Sequence, residues 1–316
     1  MKTVRLGRTG APVSELCFGT MSFGGDADEA TSGAIYAKCR DAGIDFFDCA
    51  DVYAGGKSEE ILGRLIKGHR DEVFITSKCG MGQWKGAARR DIRRSCEASL
   101  KRLGVERIDL YFTHRWDPAT PIEETLRALE DLRAEGKIAH FGCSNYAAWQ
   151  IAKANGIAAR ESWAPFEVIQ PMYNLLKRQS EVEILPLAAS EDLAVISYGP
   201  GAGGLLTGKY AKGAEGRFSV NKEYQKRYDD PYFHDTAVAY SDFAAAKGVH
   251  PMTLAVAWVM RNPAITCPII GARSVEQLEA SLAAADFDMD DDLFAEMTAM
   301  SRTPPPATDR LEEQRA

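Results

Sequence analysis

The amino-acid sequence predicts an α/β fold, a closed (β/α)8 barrel, on three observations. Short apolar segments recur eight times along the chain. Amphipathic stretches of helical length separate these segments, with apolar residues three and four positions apart. The segments themselves are apolar throughout, which is typical of parallel strands that helices cover on both faces. Eight such units close most simply into a barrel, and a doubly wound open sheet is the alternative that the same alternation allows.

The predicted elements follow one another in a regular order. The strands are expected at residues 16–19, 45–48, 73–77, 108–112, 138–142, 166–170, 193–197 and 266–270. The helices are expected at residues 28–42, 58–67, 89–103, 122–135, 146–157, 178–189, 235–247, 251–261 and 274–285. At the start of the last helix, Ser274 and Gln277 have the spacing of a capping box.

Three segments interrupt this order. Residues 2–14 predict a short β-hairpin with a Thr-Gly turn, ahead of the first barrel strand. Residues 199–234 form a long, Gly-rich connection after the seventh strand, and connections of this length are usually functional or disordered. Residues 302–316 include three successive prolines and then mostly charged side chains, which predicts an extended or mobile tail. No linker divides the chain, so residues 1–316 are predicted to form a single domain.

The composition excludes several classes of protein. The 316 residues are 45% hydrophobic and 26% charged, as in ordinary globular domains. The chain has no run of about eighteen apolar residues and no apolar signal core at its N-terminus, so we expect neither a membrane-spanning helix nor secretion. A formal net charge of −7 makes nucleic acid an unfavourable partner.

The cysteines and histidines are scattered along the chain. Seven cysteines without a Cys-x-x-Cys pair indicate free thiols and a cytoplasmic protein. The five histidines have no metal-ligand spacing with each other or with the cysteines, so no metal site is expected. The sequence gives no indication of the oligomeric state.

Polar side chains lie at the ends of several predicted strands. Asp48 ends the second strand, and Tyr53 lies in the loop five residues later. Lys78 ends the third strand, and His114 follows the fourth. Because the carboxyl ends of parallel barrel strands meet at one rim, we expect a carboxylate, a phenol, an amine and an imidazole to converge there.

A converging set of this kind suits proton transfer. A phenol with an ordinary pKa near ~10 is a weak acid at neutral pH, and a neighbouring ammonium lowers that pKa. We therefore expect Lys78 to activate Tyr53, with Asp48 holding the lysine charged and oriented. His114 is expected to hydrogen-bond a substrate oxygen. An alternative chemistry is a Schiff-base lyase in which Lys78 is the nucleophile.

These residues stand in segments that resemble the aldo-keto reductase superfamily. The resemblance extends from Val4 to Leu282 and is specific because all of its segments occur in register. They are residues 47–53 with 57–63, 75–78, 109–114, 142–145, 170–174, 204–209, and 269–274 with 276–278. The resemblance implies a TIM barrel of the bacterial type that reduces an aldehyde or ketone with a nicotinamide cofactor, or runs the reverse oxidation.

The resemblance also assigns roles to residues at the rim. Its catalytic group would be Tyr53 as general acid, with Asp48, Lys78 and His114. Its cofactor-binding residues would be Gly19, Thr20, Met21, Ser144, Asn145, Gln170, Tyr198, Gly199, Pro200, Leu205, Gly208, Lys209, Arg217, Gly271, Arg273, Gln277 and Ser281. The glycines after the seventh strand would let backbone amides approach a diphosphate. Their G-x-G-x-x-G and G-x-x-x-x-G-K spacings lack the following helix and the Ser or Thr that a Rossmann or P-loop site requires.

The cofactor is predicted to be NADP(H) rather than NAD(H). The 2′-phosphate needs a cation, and Arg273 stands at the mouth of the last strand, directly before the helix cap at Ser274. A helix N-terminus favours an anion, and an arginine fork matches phosphate geometry. Arg217, in the long connection, could fold over the same cofactor.

The substrate is expected to be a small carbonyl compound that the sequence does not identify. Predicted walls of its pocket are Phe23, Trp84 and Trp116, with Met21 and residues within 217–234. A different class of function stays open beside the enzyme, a cofactor-binding regulatory subunit, because some relatives in the superfamily serve ion channels. Turnover of an aldehyde panel would separate these two functions.

Overall fold

Eight parallel strands close into a barrel whose spatial order follows the chain. A computed structural model describes residues 1–211, 213, 216, 218, 221–308, 310 and 312. The barrel strands are β3 Cys17–Gly19, β4 Phe46–Asp48, β5 Phe74–Cys79, β6 Ile108–Thr113, β7 Ile138–Ser144, β8 Val168–Gln170, β9 Ala194–Tyr198 and β10 Cys267–Ile270. Each strand pairs in parallel with the next, and β10 closes the barrel on β3, with Ile269 opposite Cys17. The predicted (β/α)8 barrel is confirmed, and the open sheet is excluded.

The predicted N-terminal hairpin is also present. Its strands, β1 Thr3–Arg5 and β2 Pro12–Ser14, pair antiparallel. Leu6 and Val13 are fully buried and pack against side chains from the barrel interior. The hairpin therefore covers the end of the barrel at which the strands begin, and leaves the other end open for a site.

Helices surround the barrel close to their predicted positions. They are Glu29–Asp41, Lys57–Leu65, Arg89–Leu103, Ile122–Ala134, Ala148–Glu161, Ile184–Ser190, Pro231–Ala246, Pro251–Arg261 and Val275–Leu282. The helix predicted at 178–189 begins only at Ile184, after a 3-10 turn at Gln179–Glu181. Pro186 has no backbone N–H to donate, so a helix that contains it must start within the preceding turn.

Two helices were not predicted. Lys222–Arg227 lies inside the long connection, where the Asn221 side chain caps it by accepting hydrogen bonds from two backbone N–H groups. Asp291–Ala299 follows the last predicted helix and is capped by Asp290. Five of its nine residues are apolar, but the helix is short and follows the eighth βα unit, so periodicity gave little signal, although the aspartate cap is a recognisable helix start.

The cysteines of the chain lie in its interior. All seven cysteines are buried and free of disulfides. Within the part of the chain that the structure describes, no helix is long and apolar enough to cross a membrane. The same residues contain no group of three or more His, Cys, Asp or Glu side chains arranged to hold a metal ion.

Candidate active site

A cavity of about 1110 Å³ opens at the carboxyl ends of the barrel strands. Asp48, Tyr53, His114 and Gln170 line it, so the rim residues of four successive parts of the chain meet at one place. A larger depression of about 1550 Å³ lies at the opposite end of the strands. It is lined by charged residues of both signs, and two of these, Arg70 and Asp109, form an ion pair at 2.7 Å, which is typical of a solvated surface groove.

The floor of the cavity is a buried chain of hydrogen bonds. The Lys78 side chain is fully buried, and its Nζ donates to Asp48 Oδ2 at 2.6 Å, to the Cys49 carbonyl at 2.7 Å and to Tyr53 Oη at 3.4 Å. Asp48 Oδ1 accepts from Thr76 at 2.7 Å. Both charges are therefore paired and fully hydrogen-bonded, which is the condition for keeping an ion pair in a protein interior.

Tyr53 lies in a tight turn that directs its ring toward the lysine. The two residues that follow it, Ala54 and Gly55, have positive φ angles of 48° and 65°. A left-handed alanine is uncommon and has a conformational cost, and such positions cluster at functional sites. The Tyr53 ring also meets the His114 ring edge to face, with centroids 6.0 Å apart. The backbone and the neighbouring rings thus hold the phenol in one position.

The pKa of the phenol departs from the sequence expectation. Burial raises the pKa of Tyr53 to about 12, although the Lys78 ammonium beside it acts in the lowering direction, as predicted. Burial also acts to lower the pKa of Lys78, but the Asp48 carboxylate outweighs it, so that pKa lies above its usual value. A lysine of this kind stays protonated at neutral pH and has no lone pair to attack a carbonyl, which disfavours the Schiff-base alternative.

His114 is neutral in this environment. Burial, and then the positive charges of Lys78 and Arg115, lower the pKa of His114 to about 3. Its backbone N–H is held by the Cys79 carbonyl at 2.9 Å, and its Nδ1 is buried without a hydrogen-bond partner among the described residues. A neutral imidazole carries one N–H donor and one acceptor, so His114 can orient an oxygen without taking its proton.

A second set of hydrogen bonds connects the predicted nicotinamide contacts to the Asp48 carboxylate. Tyr198 Oη donates to Asn145 Oδ1 at 2.7 Å, and Asn145 Nδ2 donates to Ser144 Oγ at 3.0 Å. Ser144 Oγ donates to the Gln170 carbonyl at 2.8 Å, and Gln170 Nε2 donates to Asp48 Oδ1 at 2.9 Å. Four residues from three strand ends therefore form one wall of the cavity, adjoining the Asp48–Lys78 pair.

Another wall has the features of a phosphate-binding surface. Gly271 and Arg273 line the cavity just before the helix Val275–Leu282, whose N-terminus Ser274 caps by accepting from the Gln277 N–H. A Cβ at Gly199, which also lines the cavity, would meet no atom within 4 Å. Open space beside a glycine backbone, a helix N-terminus and an arginine together fit an anionic dinucleotide.

Most of the predicted cofactor contacts line this cavity, and three do not. Those on its walls are Gly19, Met21, Ser144, Asn145, Gln170, Tyr198, Gly199, Pro200, Lys209, Gly271, Arg273, Gln277 and Ser281. Thr20 is buried behind the wall, where its Oγ1 donates to the Asp48 carbonyl at 3.1 Å. Leu205 is buried in the core, and Gly208 packs against Ser241 of a neighbouring helix. Arg217 lies outside the described residues.

None of the three predicted aromatic walls, Phe23, Trp84 and Trp116, lines the cavity. Phe23 is fully buried and packs against Phe18 with ring centroids 5.7 Å apart, so it belongs to the core. Trp116 packs edge to face on Tyr146, and Trp84 is partly buried; neither lines the cavity. These residues were predicted to line the pocket because they stand close to rim residues in the sequence. In the structure, Phe23 and Trp116 pack against neighbouring rings instead.

Several residues of the cavity wall were not singled out from the sequence. They include Arg115, Met81, Tyr224, Arg227 and Met252. Arg115 directly follows His114, so its position next to a predicted rim residue was an available signal. Tyr224 and Arg227 fall within the predicted range 217–234, but the helix that presents them was not predicted.

Comparison with known proteins identifies the family of the chain. A family model described as the Aldo/keto reductase family matches residues 15–302. The oxidoreductase YrpG of Bacillus subtilis (strain 168) is 37% identical over 311 residues, which cover 93% of this chain and 94% of its own. A probable voltage-gated potassium channel subunit beta of Oryza sativa subsp. japonica is 36% identical, covering 90% and 92%. Aflatoxin B1 aldehyde reductase member 2 of Rattus norvegicus is 34% identical, covering 88% and 82%.

These matches extend over nearly the whole barrel and include the strand ends that build the cavity. The resemblance that the sequence motifs indicated is therefore confirmed by an independent comparison. The chain belongs to the aldo/keto reductase family, and it is an oxidoreductase that acts on carbonyl groups.

Proposed function

We propose that this protein reduces an aldehyde or ketone to an alcohol with NADPH, or runs the reverse oxidation. The observation that carries the proposal is the buried hydrogen-bond chain from Asp48 through Lys78 to Tyr53 at the floor of the cavity. It places the phenolic O–H of Tyr53 beside the fixed positive charge of Lys78. A carbonyl oxygen that gains negative charge during reduction would be stabilised there. NADP(H), when bound, supplies or accepts the hydride.

Side chains of the protein transfer the proton and position the carbonyl. Tyr53 gives its proton to the carbonyl oxygen during reduction, and the Lys78 ammonium stabilises the phenolate that is left. Asp48 keeps Lys78 charged and fixed in place through the 2.6 Å ion pair. His114, being neutral, offers a hydrogen bond that positions the carbonyl oxygen beside the phenol.

The proposed cofactor contacts follow from the two walls of the cavity. Ser144, Asn145 and Gln170 would hold the carboxamide of the nicotinamide, and Tyr198 would stack on its ring. Arg273 would bind the 2′-phosphate, which supports NADPH over NADH. In support, Arg273 lines the cavity, and its guanidinium forms no ion pair with the residues that the structure describes.

The decisive experiment for the proton donor is Tyr53→Phe. We expect aldehyde reduction to fall by at least about a hundredfold, because general acid catalysis contributes that much or more. NADPH binding, followed by cofactor fluorescence, should change little, since only the phenolic O–H is removed. Tyr36→Phe is the matched control, because Tyr36 is a buried tyrosine outside the cavity that hydrogen-bonds His69 at 2.6 Å. Near-normal turnover in Tyr53→Phe would remove Tyr53 from its role.

A second candidate function is supported by the names of two relatives. Proteins of Oryza sativa subsp. japonica and Arabidopsis thaliana, each 36% identical over 301 residues, are named as probable potassium channel beta subunits. On that analogy the chain would be a cofactor-binding regulatory subunit with little turnover. A panel of aldehydes with saturating NADPH distinguishes the two: turnover of several per second supports the enzyme, and tight NADPH binding without turnover supports the subunit.

The free thiols support a location for either function. All seven are buried, and none is in a disulfide, which accords with a reducing compartment. We accordingly propose that the protein works in the cytoplasm.

A further inference from the structure

The cavity wall carries more positive than negative charge, unlike the chain as a whole. The formal net charge of the protein is −7. The cavity nevertheless has four cationic residues on its wall, Arg115, Lys209, Arg227 and Arg273. Its two acidic residues are Asp48, which is neutralised by the buried lysine, and Glu276. A local excess of this kind concentrates anions in the cavity.

These cations divide into two groups by position. Arg273 adjoins the N-terminus of the helix Val275–Leu282, and Lys209 belongs to the glycine-rich connection. Both are accounted for by the phosphates of the proposed cofactor. Arg115, in contrast, directly follows the catalytic histidine, and its charge helps to lower the pKa of His114. Arg115 therefore stands on the side of the cavity where the reacting carbonyl would lie.

Within the described part of the chain, no ion pair neutralises the charge of Arg115. Asp117 is the nearest acid in sequence, but its carboxylate is occupied by the N–H groups of Ala87 and Ala119 and by the Thr120 hydroxyl, at 2.7–3.0 Å. Among the described residues, Arg115 forms no ion pair. Arg115 acts with the hydrogen bonds on Asp117 to lower the pKa of that carboxyl, but its exposed guanidinium has no hydrogen bond or ion pair among the described residues and is available to a ligand.

A second arginine stands within electrostatic range of another rim residue. Arg227 lies over the Tyr224 ring, with its guanidinium carbon 4.9 Å from the ring centroid, so the aromatic face limits its freedom. Its charge acts on Tyr198, at the end of β9, in the direction that lowers the pKa of that phenol. Tyr198 is joined through Asn145 to the backbone of His114. The reaction site is thus flanked by arginines near both ends of this hydrogen-bonded row.

We infer that the substrate carries an anionic group, a carboxylate or a phosphate, in addition to its carbonyl, and that Arg115 binds this group. The inference rests on the proposed carbonyl reduction. A planar guanidinium matches the geometry of either anion with two parallel hydrogen bonds. Because Arg115 is exposed and partly screened by water, we expect a preference of roughly tenfold rather than the larger factor of a buried pair.

The test uses pairs of aldehydes that differ in charge but little in shape. One pair is 4-formylbenzoate with its neutral methyl ester, and the other is 4-formylphenyl phosphate with its neutral dimethyl ester. The ratio of kcat/KM between anionic and neutral members is measured at saturating NADPH for the native protein and for Arg115→Gln. We expect the native protein to prefer an anionic member by roughly tenfold, and Arg115→Gln to lose this preference through a higher KM.

A matched control and a second readout complete the test. Arg94→Gln removes an exposed arginine from the helix Arg89–Leu103, outside the cavity, and should leave the ratio unchanged. The two pairs distinguish the sources: a preference in one pair only identifies the anion as carboxylate or as phosphate. Equal ratios in the native protein and in Arg115→Gln would overturn the inference.

The failure of the proposed function can be told apart from the failure of this inference. If no aldehyde is reduced, the affinity for a ligand is measured in place of turnover. The NADPH-loaded protein is titrated calorimetrically with 4-methylbenzoate and with its methyl ester. Tighter binding of the anion that Arg115→Gln abolishes would keep the anion site and reject the reduction. No preference for the anion would reject the site.

Discussion

At the scale of single residues, the active site depends on a balance between burial and charge at Lys78. Burial alone would drive a lysine to lose its proton and a tyrosine to keep its own. The Asp48 carboxylate, 2.6 Å from Lys78 Nζ, reverses the first effect and keeps the ammonium next to Tyr53. The phenol nevertheless has a raised pKa, so it stays protonated at neutral pH and can donate.

Removal of the lysine charge should move the pH dependence of the reaction. In the oxidation direction Tyr53 must accept a proton, so activity rises with pH toward the pKa of the phenol. Lys78→Met removes the charge that lowers this pKa, and the rise should shift to higher pH while kcat falls. The measurement is kcat for alcohol oxidation from pH 7 to 12, because the pKa of Tyr53 is about 12 and the native profile levels off only near that pH. The double variant Asp48→Asn with Lys78→Met leaves no unpaired buried charge, so it controls for misfolding. An unchanged profile in both variants would make Lys78 purely structural.

The cofactor preference is a prediction about one further residue. Arg273→Ala should weaken NADPH binding by about one to two decades, since a hydrogen bond to a charged group contributes roughly 1.5–3 kcal/mol. NADH has no 2′-phosphate, so its dissociation constant should change little. Arg94→Ala, at an exposed position outside the cavity, is the control. Equal losses for both cofactors, or a native preference for NADH, would contradict the assignment of Arg273 to the phosphate.

At the scale of elements, the turn that carries Tyr53 is held by the helix that follows it. The helix Lys57–Leu65 packs closely on Arg89–Leu103. Glu59, fully buried, accepts from Arg102 Nε at 2.6 Å and joins the two helices. Gly56 leaves room for the Arg102 side chain, which a Cβ there would contact at 2.7 Å. Close helix packing therefore fixes the segment that begins at Tyr53, the proposed proton donor.

Two glycines in helices should respond to alanine with opposite signs. A Cβ at Gly63 would overlap the Leu103 carbonyl of the neighbouring helix, whereas a Cβ at Gly156 would meet nothing within 4 Å. Gly63→Ala should lower the free energy of unfolding by about 1–3 kcal/mol, because overpacking outweighs the better helix propensity. Gly156→Ala should raise it by about 0.5–1 kcal/mol. Urea unfolding measures both, and a stabilised Gly63→Ala would show that the helix contact is loose.

At the scale of the whole molecule, the closed barrel buries charged groups that do not take part in the proton relay. Asp51 is nearly fully buried, and its Oδ1 has no hydrogen-bond partner among the described residues. Burial, and then the Glu59 carboxylate, raise the pKa of Asp51 to about 6. The Arg102 and Lys78 charges act in the opposite direction without compensating. The folded protein thus holds a carboxyl that keeps its proton up to about pH 6.

This carboxyl should make the stability of the whole protein depend on pH. The folded-state pKa of Asp51 is about 6, against an ordinary value of 3.8, so the folded state binds the proton more tightly and stability falls as pH rises through this window. Asp51→Asn stays neutral, and at pH 8 it should be more stable than the native protein by about 1–3 kcal/mol. Near pH 4 this advantage should vanish. Urea unfolding at pH 4 and pH 8 tests it, with exposed Asp288→Asn as control; the same difference at both pH values would contradict the shift.

The sequence by itself determined the barrel and the identity of its rim residues. Eight apolar strands separated by helices form a parallel sheet with both faces buried, and few folds achieve this. In a closed barrel of such strands, all the carboxyl ends lie at the same rim. Asp48, Lys78 and His114 could therefore be assigned to one site from their positions in the chain. The regular helices were predictable for the same reason, whereas the helix Asp291–Ala299 lies beyond the eighth βα unit and, at nine residues, is too short for periodicity to reveal it.

Only the tertiary structure decided how deep each group lies and which neighbours it meets. The pKa of Tyr53 depends on burial by side chains that are distant in sequence, and this effect exceeds that of the lysine that the sequence identified. Phe23 and Trp116 follow rim segments in the chain, but ring packing turns them away from the cavity. Arg227 reaches the cavity only because a short helix in the long connection folds over it. Burial and contact between distant segments are properties of the closed barrel, and no local pattern of residues contains them.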